Sequence, residues 1–224
     1  MAEAEAILTS AKDQLFNLGP LQQYTSFTLG EIADIRAGVT LGRRDITGPT
    51  IHLPYLRVAN VQDGYLDLED IKDVEIKEIE YDKWQLEAGD IVLTEGGDWD
   101  KLGRGTVWQN EIPTCIHQNH IFRLRVDHTK FDPYYLMAMI SSPYGKSYFQ
   151  SSSKQTTNLA SINQRQLKAF VVFKPPLSEQ QRIISYLNQI QDKVKELRNL
   201  QTATEVEIDS MLPAILDKAF RGEW

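Results

Sequence analysis

Apolar side chains recur in alternating steps of four and three at Ile183, Leu187, Ile190, Val194, Leu197, Gln201, Thr204, Ile208, Met211 and Ile215. Eight of these ten positions are apolar and the spacing never slips. That is the seam of a coiled coil rather than the broad stripe of a surface helix. At 1.5 Å per residue, a helix running to about Met211 reaches roughly 50 Å. Such a helix cannot bury its seam on itself. Its partner is a second copy of the chain, a helix of another subunit, or the chain's own domain. Gln201 and Thr204 interrupt the seam at its middle, where polar residues set register and orientation at some cost in stability. Ser178 with Gln181 three residues later predicts a capping box at the start. Pro213 removes the hydrogen bond to the Asp209 carbonyl, which predicts a kink or an end there.

Three other textures precede this segment. Residues 1–19 are rich in Ala, Glu, Lys and Gln, with Ile7, Leu8, Ala11, Leu15 and Leu18 on one helical face. Gly19-Pro20 is expected to stop that helix. Residues 27–128 read as mostly β, with short runs at 55–61, 91–94, 105–109 and 120–126 separated by Gly48-Pro49, Asp63-Gly64, Gly89-Asp90 and Gly96-Gly97. Alternation from Arg123 to Val126 suggests one wet face. Helix returns at residues 132–152, with Asp132 as cap and Pro133 at the first helical position, and a second short helix starts at Pro143. Residues 151–158 read as loop and residues 169–173 as strand. The absence of regular strand–helix alternation argues against a parallel nucleotide-binding sheet. The expected architecture is α+β. An N-terminal helix (1–19) leads into a mainly β domain with a few packed helices (20–174), and a long coiled-coil helix (175–224) follows.

Composition narrows the class. With 224 residues, 42% hydrophobic and 25% charged, the chain can bury a core without staples. One cysteine, Cys115, excludes a disulfide framework and fits a reducing cytoplasm. No run approaches the ~18 apolar residues of a membrane span. The acidic start, Met1-Ala2-Glu3-Ala4-Glu5, lacks the basic region of a secretory leader. The net charge of −7 argues against wholesale polyanion binding. The charge is segregated, however. Residues 63–100 hold 14 acidic and 3 basic residues, a balance of −11, and residues 101–174 hold 10 basic and 3 acidic, a balance of +7. A phosphate backbone responds to the field within a Debye length, roughly 8–10 Å. The basic block therefore either forms a local DNA-facing surface or folds against the acidic block into a neutral one.

Catalytic constellations are not legible. Cys115, His117 and His120 match no standard structural zinc spacing, so no metal is expected. In a strand, Cys115 and His117 would share one face and His120 would take the other. The glycines at 96, 97, 103 and 105 lack the Lys-Ser/Thr of a P-loop and the strand–helix context of a dinucleotide site. Asp132-Pro133-Tyr134-Tyr135 has a distant likeness to the Asp-Pro-Pro-Tyr motif of amino-group methyltransferases, but helix capping explains it better. No cofactor is expected. The loops that combine cations with hydrogen-bonding side chains are Arg43-Arg44, the run from Trp99 through Lys101 to Arg104, and Lys154-Gln155-Thr156-Thr157-Asn158. Lys and Arg position a protein on phosphates, Arg, Asn and Gln read base edges, and Thr hydroxyls serve either purpose.

Several stretches, in order, resemble one family. They are Leu29-Gly30-Glu31-Ile32-Ala33, Tyr55-Leu56-Arg57-Val58-Ala59-Asn60, and Gly89-Asp90-Ile91-Val92-Leu93-Thr94-Glu95-Gly96-Gly97. They continue with Gln118-Asn119-His120-Ile121-Phe122-Arg123-Leu124 and Thr156-Thr157-Asn158-Leu159-Ala160-Ser161-Ile162-Asn163. Pro175-Pro176-Leu177-Ser178-Glu179-Gln180 and Ala219-Phe220-Arg221-Gly222-Glu223 complete the set. Together they span nearly everything after residue 27, and the chain resembles the DNA-specificity (S) subunit of type I restriction–modification systems. The resemblance implies an α+β target recognition domain followed by a long helix. A complete subunit has two of each, paired as an antiparallel coil, and reads a bipartite DNA site. Its partners are double-stranded DNA and the adenine methyltransferase and restriction subunits, and the subunit itself is not catalytic. This sequence carries one domain and one helix, so a half-length form, natural or engineered, is expected to pair with its own copy.

Family members read different sequences. The shared Gln118-Asn119-His120 and Thr156-Thr157-Asn158 are therefore expected to hold loops or touch the backbone, and base reading falls to Arg43, Arg44, Trp99 and Lys101. The expected DNA-facing set is Arg43, Arg44, Trp99, Lys101, Arg104, Lys154, Thr156 and Thr157. The expected dimer seam is Ile183, Leu187, Ile190, Val194, Leu197, Ile208 and Met211. Residues 1–19 would dock near the coil or hang loosely. The rival reading is an assembly module whose coil recruits a partner without touching DNA, and a third is a methyltransferase in its own right.

Overall fold

A computed structural model describes residues 2–42, 47–97, 99, 102–155 and 160–222. Helix α1 (Ala2–Phe16) ends before Gly19-Pro20, and a short turn of helix, α2 (Leu18–Leu21), runs through that pair. Proline is tolerated there because the first backbone N–H groups of a helix have no partner inside it. On α1, Ala11 and Phe16 are buried, whereas Ile7 is exposed.

The domain that follows is mixed α and β, as expected. Strand β1 (Ser26–Thr28) leads through α3 (Leu29–Ile32) into β2 (Ala33–Ala37). Strands β3 (Thr50–Leu56) and β4 (Lys72–Lys77) form an antiparallel pair, and α4 (Tyr81–Trp84) follows. Then come β5 (Ile91–Thr94), β6 (Gly96–Gly97), β7 (Gly105–Val107), β8 (Ile116–His117) and β9 (Ile121–Val126). The central sheet has the order β2-β9-β5-β7, and a second has the order β4-β3-β8. Two packed clusters fill this region. One is built around Leu56, Val92, Trp108 and Ile121, the other around Tyr55, Ile76, Trp84 and Ile116.

Two expectations fail here for identifiable reasons. Residues 58–60 form a 3-10 turn rather than extending the strand. Asn60 is buried, accepts the Arg57 amide at 2.8 Å and donates to the carbonyls of Asp67 and Asp70. These local bonds displace a strand ladder. Nor does β9 have a wet face at Arg123. The strand lies between β2 and β5, and Arg123 is buried with its guanidinium 2.6 Å from Asp34.

Gly89 and Asp90 show what the turn ahead of β5 is for. Gly89 sits at φ +93°, a conformation that favours glycine, and its amide donates to the Trp108 carbonyl. Asp90 is buried and accepts both the Glu87 amide and the Arg125 guanidinium.

Helix α5 (Pro133–Ile140) starts as expected, with Asp132 accepting the amides of Tyr134 and Tyr135, and α6 (Pro143–Ser152) starts with Ser142 accepting the Gly145 amide. Helical structure thus continues two residues into the stretch read as loop, and β10 (Lys154–Gln155) and β11 (Ala160–Ser161) are short strands. Helix α7 (Gln164–Lys168) precedes β12 (Val171–Phe173), which pairs with β1. Phe149, stacked on Phe170 at 5.2 Å, packs this end of the domain.

The long helix, α8 (Leu177–Arg221), is 45 residues. It begins one residue before the expected cap. Glu179 and Gln180 donate to the Pro176 carbonyl, so Pro176 takes the cap position and Ser178 is already helical. The helix runs through Pro213 and does not end there. A proline removes one donor and leaves the neighbouring bonds in place, at a cost of about 3 kcal/mol. Gln180 is buried. Its amide donates to the carbonyls of Pro175 and Lys130, and its side-chain oxygen accepts the Asp132 amide, which pins the helix start to the start of α5.

The chain divides into two compact units. Lys12–Ile184 form one, and residues up to Ala11 join the helix from Ser185 onward in the other. No helix among the described residues is long and apolar enough to cross a membrane.

Candidate nucleic-acid interface

Strand pairing gathers two of the three loops singled out above. β6 pairs with β11, and β11 pairs with β10, so the Gly96-Gly97 run lies in one small sheet with Lys154-Gln155 and Ala160-Ser161. The approach is close. A Cβ on Gly96 would come within 2.7 Å of the Ala160 carbonyl, so only glycine fits without a shift. Glu95 continues the attachment, its amide donating to His120 and its carbonyl accepting from Ile162.

Trp99 is 40% exposed on this segment. Arg104 ends it, with its carbonyl accepting the Thr94 amide at 2.9 Å. The Arg104 guanidinium makes two long bonds, 3.4 Å to the Gln62 side chain and 3.4 Å to the Val58 carbonyl. Its Nε is shielded from solvent and has no hydrogen-bond partner among the described residues. Lys154 is placed by its backbone in β10. Arg43, Arg44, Lys101, Thr156 and Thr157 lie outside the described residues.

Beside Arg104 is a cavity of about 300 Å³ lined by Gln62, Asp63, Tyr65, Leu102 and Lys146. Sequence reading missed Gln62, Tyr65 and Lys146. The Asp63-Gly64 turn was legible, but nothing local tied it to residue 104. The tie is tertiary: the Gly64 amide donates to the Gly105 carbonyl at 2.9 Å.

The charge blocks partly cancel. Arg125 bridges Glu87 and Asp90, Lys146 lies 3.7 Å from Asp63, and His120 Nδ1 lies 2.6 Å from Glu95.

Cys115 and His117 are both buried and His120 is exposed, and among the described residues no metal-holding group of His, Cys, Asp and Glu forms. Burial pushes the Cys115 thiol up to about 12. His117 places Nδ1 3.1 Å from the Trp84 carbonyl. Burial pushes its pKa down to about 4, against the Trp84 and Arg36 carbonyls, which favour the charged ring. The folded value lies below the ordinary 6.5, so the unfolded chain takes up this proton first as pH falls. Stability from the neutral ring is therefore complete above pH ~6.5 and fades toward pH ~4, by about 2 kcal/mol at pH 5. Urea unfolding at pH 7.5 and 5 is expected to show this loss in the native protein and not in His117→Leu. Equal pH dependence in the two overturns the assignment.

Along α8 the seam changes character. Ile183, Leu187 and Val194 are buried and Ile190 is half-buried. Beyond them Leu197 is 47% exposed, Ile208 55% and Met211 57%.

Comparison with known proteins agrees with this anatomy. Residues 22–207 match the family described as "Type I restriction modification DNA specificity domain". The putative type I restriction enzyme MjaX specificity subunit of Methanocaldococcus jannaschii is 30% identical over 139 residues, 62% of this chain and 33% of that protein. The type I restriction enzyme EcoKI specificity subunit of Escherichia coli K12 is 26% identical over 172 residues, 76% of this chain and 37% of that protein. The StySPI specificity subunit of Salmonella potsdam is 25% identical over 221 residues, 98% of this chain and 47% of that protein. The chain thus spans between a third and a half of the curated relatives it matches. Among solved structures, the HsdS subunit of Thermoanaerobacter tengcongensis superposes with a TM-score of 0.65 at 24% identity, over all of this chain and 52% of that one. At that identity the likeness is one of fold. With the family match extending over most of its length, the chain belongs to the type I restriction–modification DNA-specificity family.

Proposed function

We propose that this chain is the non-catalytic sequence-recognition component of a type I restriction–modification system. In this reading residues 20–174 form a target recognition domain that meets double-stranded DNA through the segment from Trp99 to Arg104 and residues 154–161. Arg43, Arg44, Lys101, Lys154, Thr156 and Thr157 remain its proposed contacts. Two copies pair through α8 in antiparallel fashion about a twofold axis, which sets the two domains at opposite ends of a rod. The dimer then reads an interrupted inverted repeat and brings adenine methyltransferase and restriction subunits to it. The observation that carries the reading is the family match over residues 22–207. The exposed seam at Leu197, Ile208 and Met211 supports the pairing.

Mapping methylated adenines in DNA exposed to this chain and its methyltransferase subunit tests the proposal. The expected product is a single bipartite inverted repeat. Deleting one heptad from α8 shortens the rod by about 10 Å, roughly three base pairs, and the gap between half-sites is expected to shrink accordingly. Unpatterned methylation, or a gap that stays constant after the deletion, overturns the respective part.

A further inference from the structure

We infer that the cavity between the 62–65 turn and Arg104 holds a backbone phosphate of the bound duplex, gripped by Arg104 and Lys146 with Tyr65 at the rim. The inference rests on the DNA-recognition reading above and adds an anchoring site to it, in which Arg104, at the end of an assigned segment, is joined by Gln62, Tyr65 and Lys146 from outside the assigned loops.

Charge is the first argument. Arg104 and Lys146 line the cavity and Asp63 is the carboxylate facing them. Lys12 stands behind, its ammonium donating to the Ser141 hydroxyl at 2.7 Å. It is close enough for Asp63 and Lys146 both to act on its charge: burial lowers its pKa, Asp63 raises it and Lys146 lowers it further. Among the described residues that line the cavity, two cations thus face one carboxylate, an imbalance that a phosphate oxygen relieves.

The second argument is spare donor capacity. The Asp63–Lys146 separation of 3.7 Å is an ion pair without a hydrogen bond. Both Arg104 bonds are long, at 3.4 Å, and its shielded Nε has no partner among the described residues. A guanidinium offers five N–H donors in a planar fork that suits an oxyanion bidentately, so this one is poorly used by the protein alone. Shape is the third. Tyr65 is 61% exposed, which leaves a flat ring free to lie against the sugar or base next to the phosphate.

The test is salt-dependent binding of a fluorescent duplex by the full-length protein, comparing Lys146→Ala, Arg104→Ala, Gln62→Glu and Tyr65→Ala. Each lost phosphate contact removes about 0.9 from the slope of log K against log salt. Lys146→Ala and Arg104→Ala are expected to show that change and to weaken target and non-target duplexes by the same factor. Gln62→Glu keeps the side-chain shape and adds a repelling charge, so it guards against a folding artefact. It is expected to weaken binding about tenfold at low salt. Tyr65→Ala is expected to weaken it about fivefold or more. Folded variants with native slopes overturn the site. So does a result in which ATP, titrated without DNA, binds the native protein and not Lys146→Ala while duplex slopes stay native, because the anion is then a free nucleotide. Failure of the native protein to bind any duplex at low salt is a different outcome: it sinks the DNA-recognition reading, and this site with it.

Discussion

The double variant Leu197→Glu/Ile208→Glu is expected to be monomeric at micromolar concentration and to lose about a hundredfold or more in DNA affinity. Both side chains are exposed on the helix seam within one chain. Full burial of a Leu or Ile contributes about 1.5–3 kcal/mol, and in a twofold pair each substitution acts twice. Four lost contacts therefore amount to roughly 6–12 kcal/mol before any penalty for bringing carboxylates into the seam. A micromolar dimer is held by about 8 kcal/mol, so pairing should fail outright. The effect on DNA follows from linkage. Two domains on one rod make the second contact intramolecular, and tethering of that kind raises affinity by about 10²–10⁴. Light scattering with anisotropy on a duplex carrying both half-sites reads both quantities. A dimeric double variant, or a monomeric one that binds as tightly as the native protein, overturns the pairing. Both substitutions lie in the unit separate from Lys12–Ile184, so secondary structure and unfolding of the β domain should stay native.

Asp90→Ala is expected to destabilise the β domain by about 3–5 kcal/mol, a fall in melting temperature of roughly 6–20 °C for a chain of this size. Asp90 Oδ1 accepts Arg125 Nε at 2.8 Å, and Oδ2 accepts a second guanidinium nitrogen at 2.8 Å and the Glu87 amide at 2.7 Å. Removing it leaves the half-buried guanidinium only the Glu87 carboxylate and the Gln85 carbonyl, and takes the acceptor from the Glu87 amide. The hydrogen bond to Asp90 is also the first cause of the raised Arg125 pKa. Breaking one side of such a pair costs far more than replacing both sides, so Asp90→Ala/Arg125→Met should recover a large part of the loss. Calorimetry reads the two variants. A single variant within about 1 kcal/mol of native, or a double variant no better than the single, removes the pair from the stability account.

Much of the local structure was legible. β5 announces itself as an apolar run, the α5 cap as Asp132-Pro133, and α8 as a seam of constant four-three spacing, because each depends on residues within a few positions of one another. The errors share a cause. Arg123 reads as the wet member of an alternation until β9 is placed between β2 and β5 with Asp34 beside it. Residues 58–60 read as strand until Asn60 meets the carbonyls of Asp67 and Asp70. The two-residue strands β6, β10 and β11 are too short to carry a period, so their juxtaposition had no sequence signal.

The candidate site divides along the same line. Composition and spacing were enough to nominate Trp99, Arg104 and Lys154 as surface-loop residues and to establish the helix seam and family, because each is a property of residue order. Tertiary structure alone decided which charges remain. It spent Arg125 on Asp90, joined His120 to Glu95 and left Arg104 underused beside Lys146. A Coulomb or hydrogen-bond partner is chosen by distance in space. Residues 42 positions apart, such as Gln62 and Arg104, become neighbours only once the strands between them have paired.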